Sequence, residues 1–112
     1  MRRDLSGGIP MSLKKQYLKS RPVSKVTFRL PADAAPNARE VWLVGDFNEW
    51  QPSTTPMRRL KNGDYTVTLD LEPGREYQFR YLIDGERWEN DWEADTYRRS
   101  GIADAENSVV VL

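Results

Sequence analysis

Hydrophobic and polar residues alternate along most of the chain. In Lys25 to Leu30, Val26, Phe28 and Leu30 fall on one face and Lys25, Thr27 and Arg29 on the other, the period of a half-buried strand. Val41 to Gly45 is apolar on both faces, which predicts a central strand. Tyr65, Val67, Leu69 and Leu71 alternate with Thr66, Thr68 and Asp70. Tyr77, Phe79, Tyr81 and Ile83 then alternate with Gln78, Arg80, Leu82 and Asp84. Glu86 to Trp92 reads as a short charged strand suited to a sheet edge. Ser108 to Leu112 closes the chain as a β-branched strand.

Turn chemistry separates these runs. Asn62-Gly63 and Asp84-Gly85 are hairpin signals, because their residues tolerate positive φ, and Pro73-Gly74 supplies a type II-like turn. Two prolines make 31–37 a loop, and Pro52 and Pro56 make 51–57 a connector. Residues 93–106 read as a further loop. The front differs: Ser12 to Ser20 has the spacing for one or two helical turns, marginal alone. Residues 1–20 are therefore expected to be a flexible or loosely docked tail, and 21–112 the domain. Short strands without a long helix predict an all-β, antiparallel β-sandwich.

Composition narrows the chemistry. Lysine plus arginine and aspartate plus glutamate both number 17, so no net charge draws nucleic acid or anionic lipid. The chain of 112 residues has no cysteine and no histidine. Disulfides, thiolate nucleophiles, imidazole bases and His/Cys zinc sites are excluded, and a non-catalytic, cofactor-free protein is expected. No apolar run reaches the length of a signal peptide or membrane span, so the expected location is cytoplasmic.

The six acids Asp84, Glu86, Glu89, Asp91, Glu93 and Asp95 invite a metal or a catalytic carboxylate pair. Their spacing does not match a calcium loop, and a paired-acid hydrolase needs a cleft that a small domain has little material to build. A solvated acidic edge is the simpler reading. The aromatics are more telling. Four tryptophans are present, and Trp50 and Trp88 lie at turns, beyond the needs of a core supplied by Phe28, Phe79, Tyr65, Tyr77 and Tyr81. In Val41-Trp42-Leu43-Val44-Gly45-Asp46-Phe47-Asn48-Glu49-Trp50, the terminal indole either folds back into the core or is offered to a ligand. Indoles beside polar donors suit a pyranose, whose C–H face lies on an aromatic ring while its hydroxyls seek donors such as the Arg80 guanidinium. Covering half of each indole gives a gross gain of about 2–3 kcal/mol. Association costs remove much of this, leaving weak binding that a polymer makes useful by avidity.

The same stretch, followed by Tyr77-Gln78-Phe79-Arg80-Tyr81-Leu82-Ile83-Asp84-Gly85, Trp88 and Asn107-Ser108-Val109-Val110-Val111, resembles carbohydrate-binding module family 48. This is the isoamylase N-terminal domain, an early-set, immunoglobulin-like sandwich similar to the glycogen-binding domain of the AMP-activated protein kinase beta subunit. The resemblance implies binding of an α-1,4-linked glucan such as glycogen. It places Trp50 and Trp88 as stacking platforms, Arg80 where members carry a sugar-bonding lysine, and Asn107 at the sugar-bonding asparagine, with Glu106 as the alternative register. It further implies that Phe47 anchors the turn, that Asn48 forms it, and that Ile102 replaces an apolar residue inserted between sugars. The alternative is a protein-interaction module docking onto a kinase or a carbohydrate-active enzyme through an outer face that includes Trp42.

Overall fold

The structure, a computed structural model, describes residues 12–101 and 105–112. Among these residues nine strands form two antiparallel sheets: β1 (Leu13–Leu18), β2 (Val23–Leu30), β3 (Val41–Gly45), β4 (Arg58–Arg59), β5 (Tyr65–Leu71), β6 (Glu76–Ile83), β7 (Arg87–Glu89), β8 (Thr96–Arg99) and β9 (Glu106–Val111). The first sheet has the order β1-β2-β5-β4 and the second β3-β6-β9-β8, with β7 also paired to β6. This is the β-sandwich that the alternation predicts, of the early-set, immunoglobulin-like kind that the resemblance implies.

The alternating positions make the core. Val26, Phe28 and Leu30 of β2 face Leu43 of β3 and Tyr77, Phe79, Tyr81 and Ile83 of β6, all buried. Phe28 meets Phe79 edge-on, with centroids 5.0 Å apart, and Phe79 meets Tyr81 likewise at 5.7 Å. Such tilted pairs add about 0.5–1.5 kcal/mol beyond their buried area. The turns behave as their residues require. Asp84 and Gly85 both hold positive φ, as do Gly63 and Gly74.

The strand β6 positions everything that follows. One edge pairs with β3 from Phe79 to Ile83. Its other edge is divided, β9 taking Glu76 to Phe79 and β7 taking Tyr81 to Ile83. Side chains of β6 that point away from the core therefore have neighbours from three strands.

Several expectations need correction. Residues 13–18 do not form helical turns. They pair with Val23 to Phe28 of β2 and satisfy ladder groups that this edge would otherwise leave open. The strand Val41–Gly45 is not central but ends its sheet order. Its apolar character is explained by the connector beyond it. Leu43 N–H donates to Thr55 C=O at 2.8 Å, and Met57 N–H donates to Val41 C=O at 2.9 Å. The interval 93–106 contains β8, laid against β9. The acidic stretch is not simply solvated. Asp91 is 1% exposed, and its Oδ2 accepts the Tyr81 hydroxyl at 2.6 Å while Oδ1 accepts Glu93 N–H at 2.8 Å. Burial, together with the Asp91 charge beside it, pushes the Tyr81 phenol well above its ordinary pKa.

Candidate functional site: an aromatic and polar cleft on the outer sheet face

The Gly45–Trp50 turn is built to present its last residue. Gly45 is in extended backbone, yet a Cβ there would lie 2.5 Å from Gln78 O and 2.9 Å from Phe47 Cζ, so only glycine fits. Phe47 turns inward to the Phe28, Tyr77 and Phe79 rings at 5.5, 6.2 and 6.5 Å. Asn48 ties the loop to the strand: its Oδ1 accepts Gly45 N–H at 3.0 Å, and its Nδ2 donates to Leu43 C=O and Thr55 Oγ1, both at 2.9 Å. Glu49 and Trp50 then take positive φ values of 56° and 58°. Two consecutive left-handed non-glycine residues are uncommon and carry a conformational cost. Phe47 packs against the core, while the Trp50 ring is half-buried and lines the cleft.

The outer face of the second sheet supplies the rest. Gln78 and Arg80 point outward from β6 between inward Tyr77, Phe79 and Tyr81. Trp88 lies opposite Leu82, another outward residue, and is 45% exposed. Asn107 precedes inward Ser108 on β9 and so joins Arg80, whose Nε donates to Asn107 Oδ1 at 2.7 Å. Asn107 Nδ2 in turn donates to Gln78 Oε1 at 3.0 Å.

These side chains meet in one cleft of about 450 Å³, lined by Asp46, Trp50, Gln78, Arg80, Trp88 and Asn107, with Ser100 and Ala105 also in its wall. All four residues singled out in the sequence, Trp50, Arg80, Trp88 and Asn107, lie in this lining. Glu106, the alternative register, is exposed one position away, and Ile102 lies outside the described residues. Trp42 is half-buried, its Nε1 donating to Glu40 Oε1 at 3.1 Å, while Trp92 is 57% exposed. Asp46 and Gln78 were not singled out. The alternation of β6 placed Gln78 on the correct face, but no local pattern marks Asp46 as more than a turn residue.

The acids of 84–95 do other work. Asp84 Oδ1 accepts the N–H groups of Glu40 and Arg39 at 3.0 and 2.8 Å, which hold its carboxyl below the usual range. Asp95 Oδ2 accepts Val111 N–H at 2.7 Å and pairs with Lys15 Nζ at 2.6 Å. Among the described residues, no group of three or more potential ligands is placed to hold a metal ion. No helix there is long and apolar enough to cross a membrane.

The molecule is an immunoglobulin-like sandwich with an aromatic and polar cleft on the outer face of one sheet. The chain belongs to the carbohydrate-binding module 48 family (isoamylase N-terminal domain), whose model matches residues 17–98. Curated relatives include the 1,4-alpha-glucan branching enzyme GlgB of Photobacterium profundum, 40% identical over 60 residues, which are 53% of this chain and 8% of that protein. A second such enzyme, from Rhizobium johnstonii, is 37% identical over 79 residues, covering 69% of this chain and 11% of the enzyme. Among solved structures, a pullulanase from an Anoxybacillus species, complexed with maltotetraose, superposes with a TM-score of 0.63 at 21% identity. That match covers 96% of this chain and 14% of the pullulanase. The chain thus spans a small fraction of the length of the relatives it matches.

Proposed function

We propose that this domain binds an α-1,4-linked glucan of the glycogen or starch type without catalysing its cleavage. Trp50 and Trp88 act as stacking platforms, and Arg80 and Asn107 serve the hydroxyls. The observation that carries the reading is the convergence of two indoles and a linked Arg80–Asn107–Gln78 set on one cleft. Membership of a carbohydrate-binding family supports the ligand class, and the branching-enzyme and pullulanase relatives support an α-glucan within it. Among the described residues Arg80 donates from Nε to Asn107, and its other guanidinium N–H groups are offered to a ligand on this reading. Of the six acids at 84–95, Asp91 is committed to Tyr81, and Asp84 and Asp95 to backbone N–H groups.

Native electrophoresis in gels with and without glycogen tests this. The wild type is expected to be retarded by glycogen. Trp50→Ala and Trp88→Ala each weaken binding by at least about tenfold, as losing roughly half an indole of buried area requires. A wild type that migrates unretarded, while co-purifying with a kinase or a glycogen-metabolising enzyme, overturns the reading in favour of a docking module.

A further inference from the structure

We infer that Asp46 is the positioning residue of the cleft, fixing the plane of the Trp50 indole so that the ring meets a sugar by its face. The inference rests on the glucan reading above. Asp46 follows the extended Gly45 and precedes the Phe47 anchor, so its backbone is held from both sides. Its two carboxylate oxygens are divided between two walls of the cleft. Oδ1 accepts the Trp50 Nε1–H at 2.8 Å, and Oδ2 accepts the Gln78 backbone N–H at 2.8 Å. One side chain therefore connects the platform to the strand that carries Gln78 and Arg80.

The chemistry of that link is specific. Both partners are N–H donors, so the residue between them must accept twice. A carboxylate does so, whereas an asparagine offers one oxygen and turns its NH₂ group toward a second donor. Hydrogen bonds to a charged acceptor are also stronger than those between neutral groups. Trp50 needs such a hold, because Glu49 and Trp50 both occupy left-handed backbone and the ring sits at the end of the turn. With its only N–H engaged by Asp46, the indole has no donor left for a hydroxyl. Recognition of hydroxyls then falls to the β6 and β9 side chains, and Trp50 contributes its flat surface.

The test is a double-mutant cycle read by isothermal titration with maltoheptaose, using wild type, Asp46→Asn, Trp50→Phe and the double variant. Phenylalanine keeps a stacking ring but has no N–H. Asp46→Asn is expected to weaken binding about tenfold in the Trp50 background, the scale of one hydrogen bond to a charged group. In the Trp50→Phe background it costs markedly less, because the bond it breaks is already absent. A role confined to holding the turn together would cost the same in both backgrounds, and equal losses overturn the inference. Wild-type affinity in Asp46→Asn overturns it as well. The Trp50 indole resonance in a ¹H–¹⁵N spectrum, assigned through Trp50→Phe, gives an independent readout. It moves in Asp46→Asn if the carboxylate holds the ring, and an unmoved resonance overturns the inference without sugar being present. If that resonance moves but wild type shows no heat with maltoheptaose, the glucan reading has failed, and the sugar-positioning role falls with it.

Discussion

At the scale of single residues, the cleft depends on a position with no side chain. Gly45 does not need unusual dihedrals; it needs room, because β6 and Phe47 crowd it from both sides. Gly45→Ala is expected to destabilise the fold by about 1–3 kcal/mol, the usual cost of overpacking. For a domain of this size that is a drop in Tm on the order of 10 °C, measurable by differential scanning calorimetry. The sequence marked residues that line the cleft or the core, because aromatic and charged types at turns stand out against an alternating strand. It did not mark Asp46 as more than a turn residue or Asp91 as a buried acceptor, because Gln78 and Tyr81 reach them from another strand. Asp91 accepts from Tyr81 and receives the Tyr97 hydroxyl on its carbonyl at 2.6 Å, contacts that no local spacing encodes. Asp84 has the same character, since its donors Arg39 and Glu40 lie just before β3.

Among the elements, strands with clean period-two patterns were legible and the others were not. Strands β2, β5 and β6 alternate in the sequence and bury the expected face. Strand β1 reads Leu-Lys-Lys-Gln-Tyr-Leu, with one fully buried residue, and β8 reads Thr-Tyr-Arg-Arg with none. Both are edge strands, whose ladder partners rather than their side-chain pattern define them. The β4–β5 hairpin shows how charge supports an element. Asp64 receives Arg29 Nε and Ala32 N–H, both at 2.8 Å, which joins the hairpin to the end of β2. Burial works against its charge, but the Ala32 bond and Arg29 outweigh that and hold its pKa below the ordinary value. Because the folded value is depressed, the contribution of Asp64 to stability is complete above the ordinary carboxylate range. It is lost as pH falls through the folded value beneath that range. Urea unfolding of wild type against Asp64→Asn should show a clear difference at about pH 6 that disappears in strong acid. A difference independent of pH would mean that shape rather than charge matters at this position.

Across the whole molecule, the two sheets are joined at their margins as well as through the core. Lys15 of β1 donates to Val111 C=O at 2.9 Å and pairs with Asp95, reaching from one sheet to the other. Removing residues 1–20 would uncover the edge of β2 and the buried Leu13 contact. We expect this to cost at least about 2 kcal/mol in urea unfolding, the value of one buried leucine. An unchanged midpoint would instead place the folding unit at 21–112.

The divided edge of β6 has a consequence for how a polysaccharide would be gripped. Trp50 stands on a turn secured by Asn48, Asp46 and the bond from its own N–H to Gly45 C=O at 2.9 Å. Trp88 stands on a three-residue ribbon laddered to half a strand. On the proposed reading, one platform is held by its turn and the other rests on a short edge ribbon, so fastening a glucan across both would chiefly quiet that ribbon. Amide exchange at residues 87–89 should slow on adding maltoheptaose far more than exchange at 46–50.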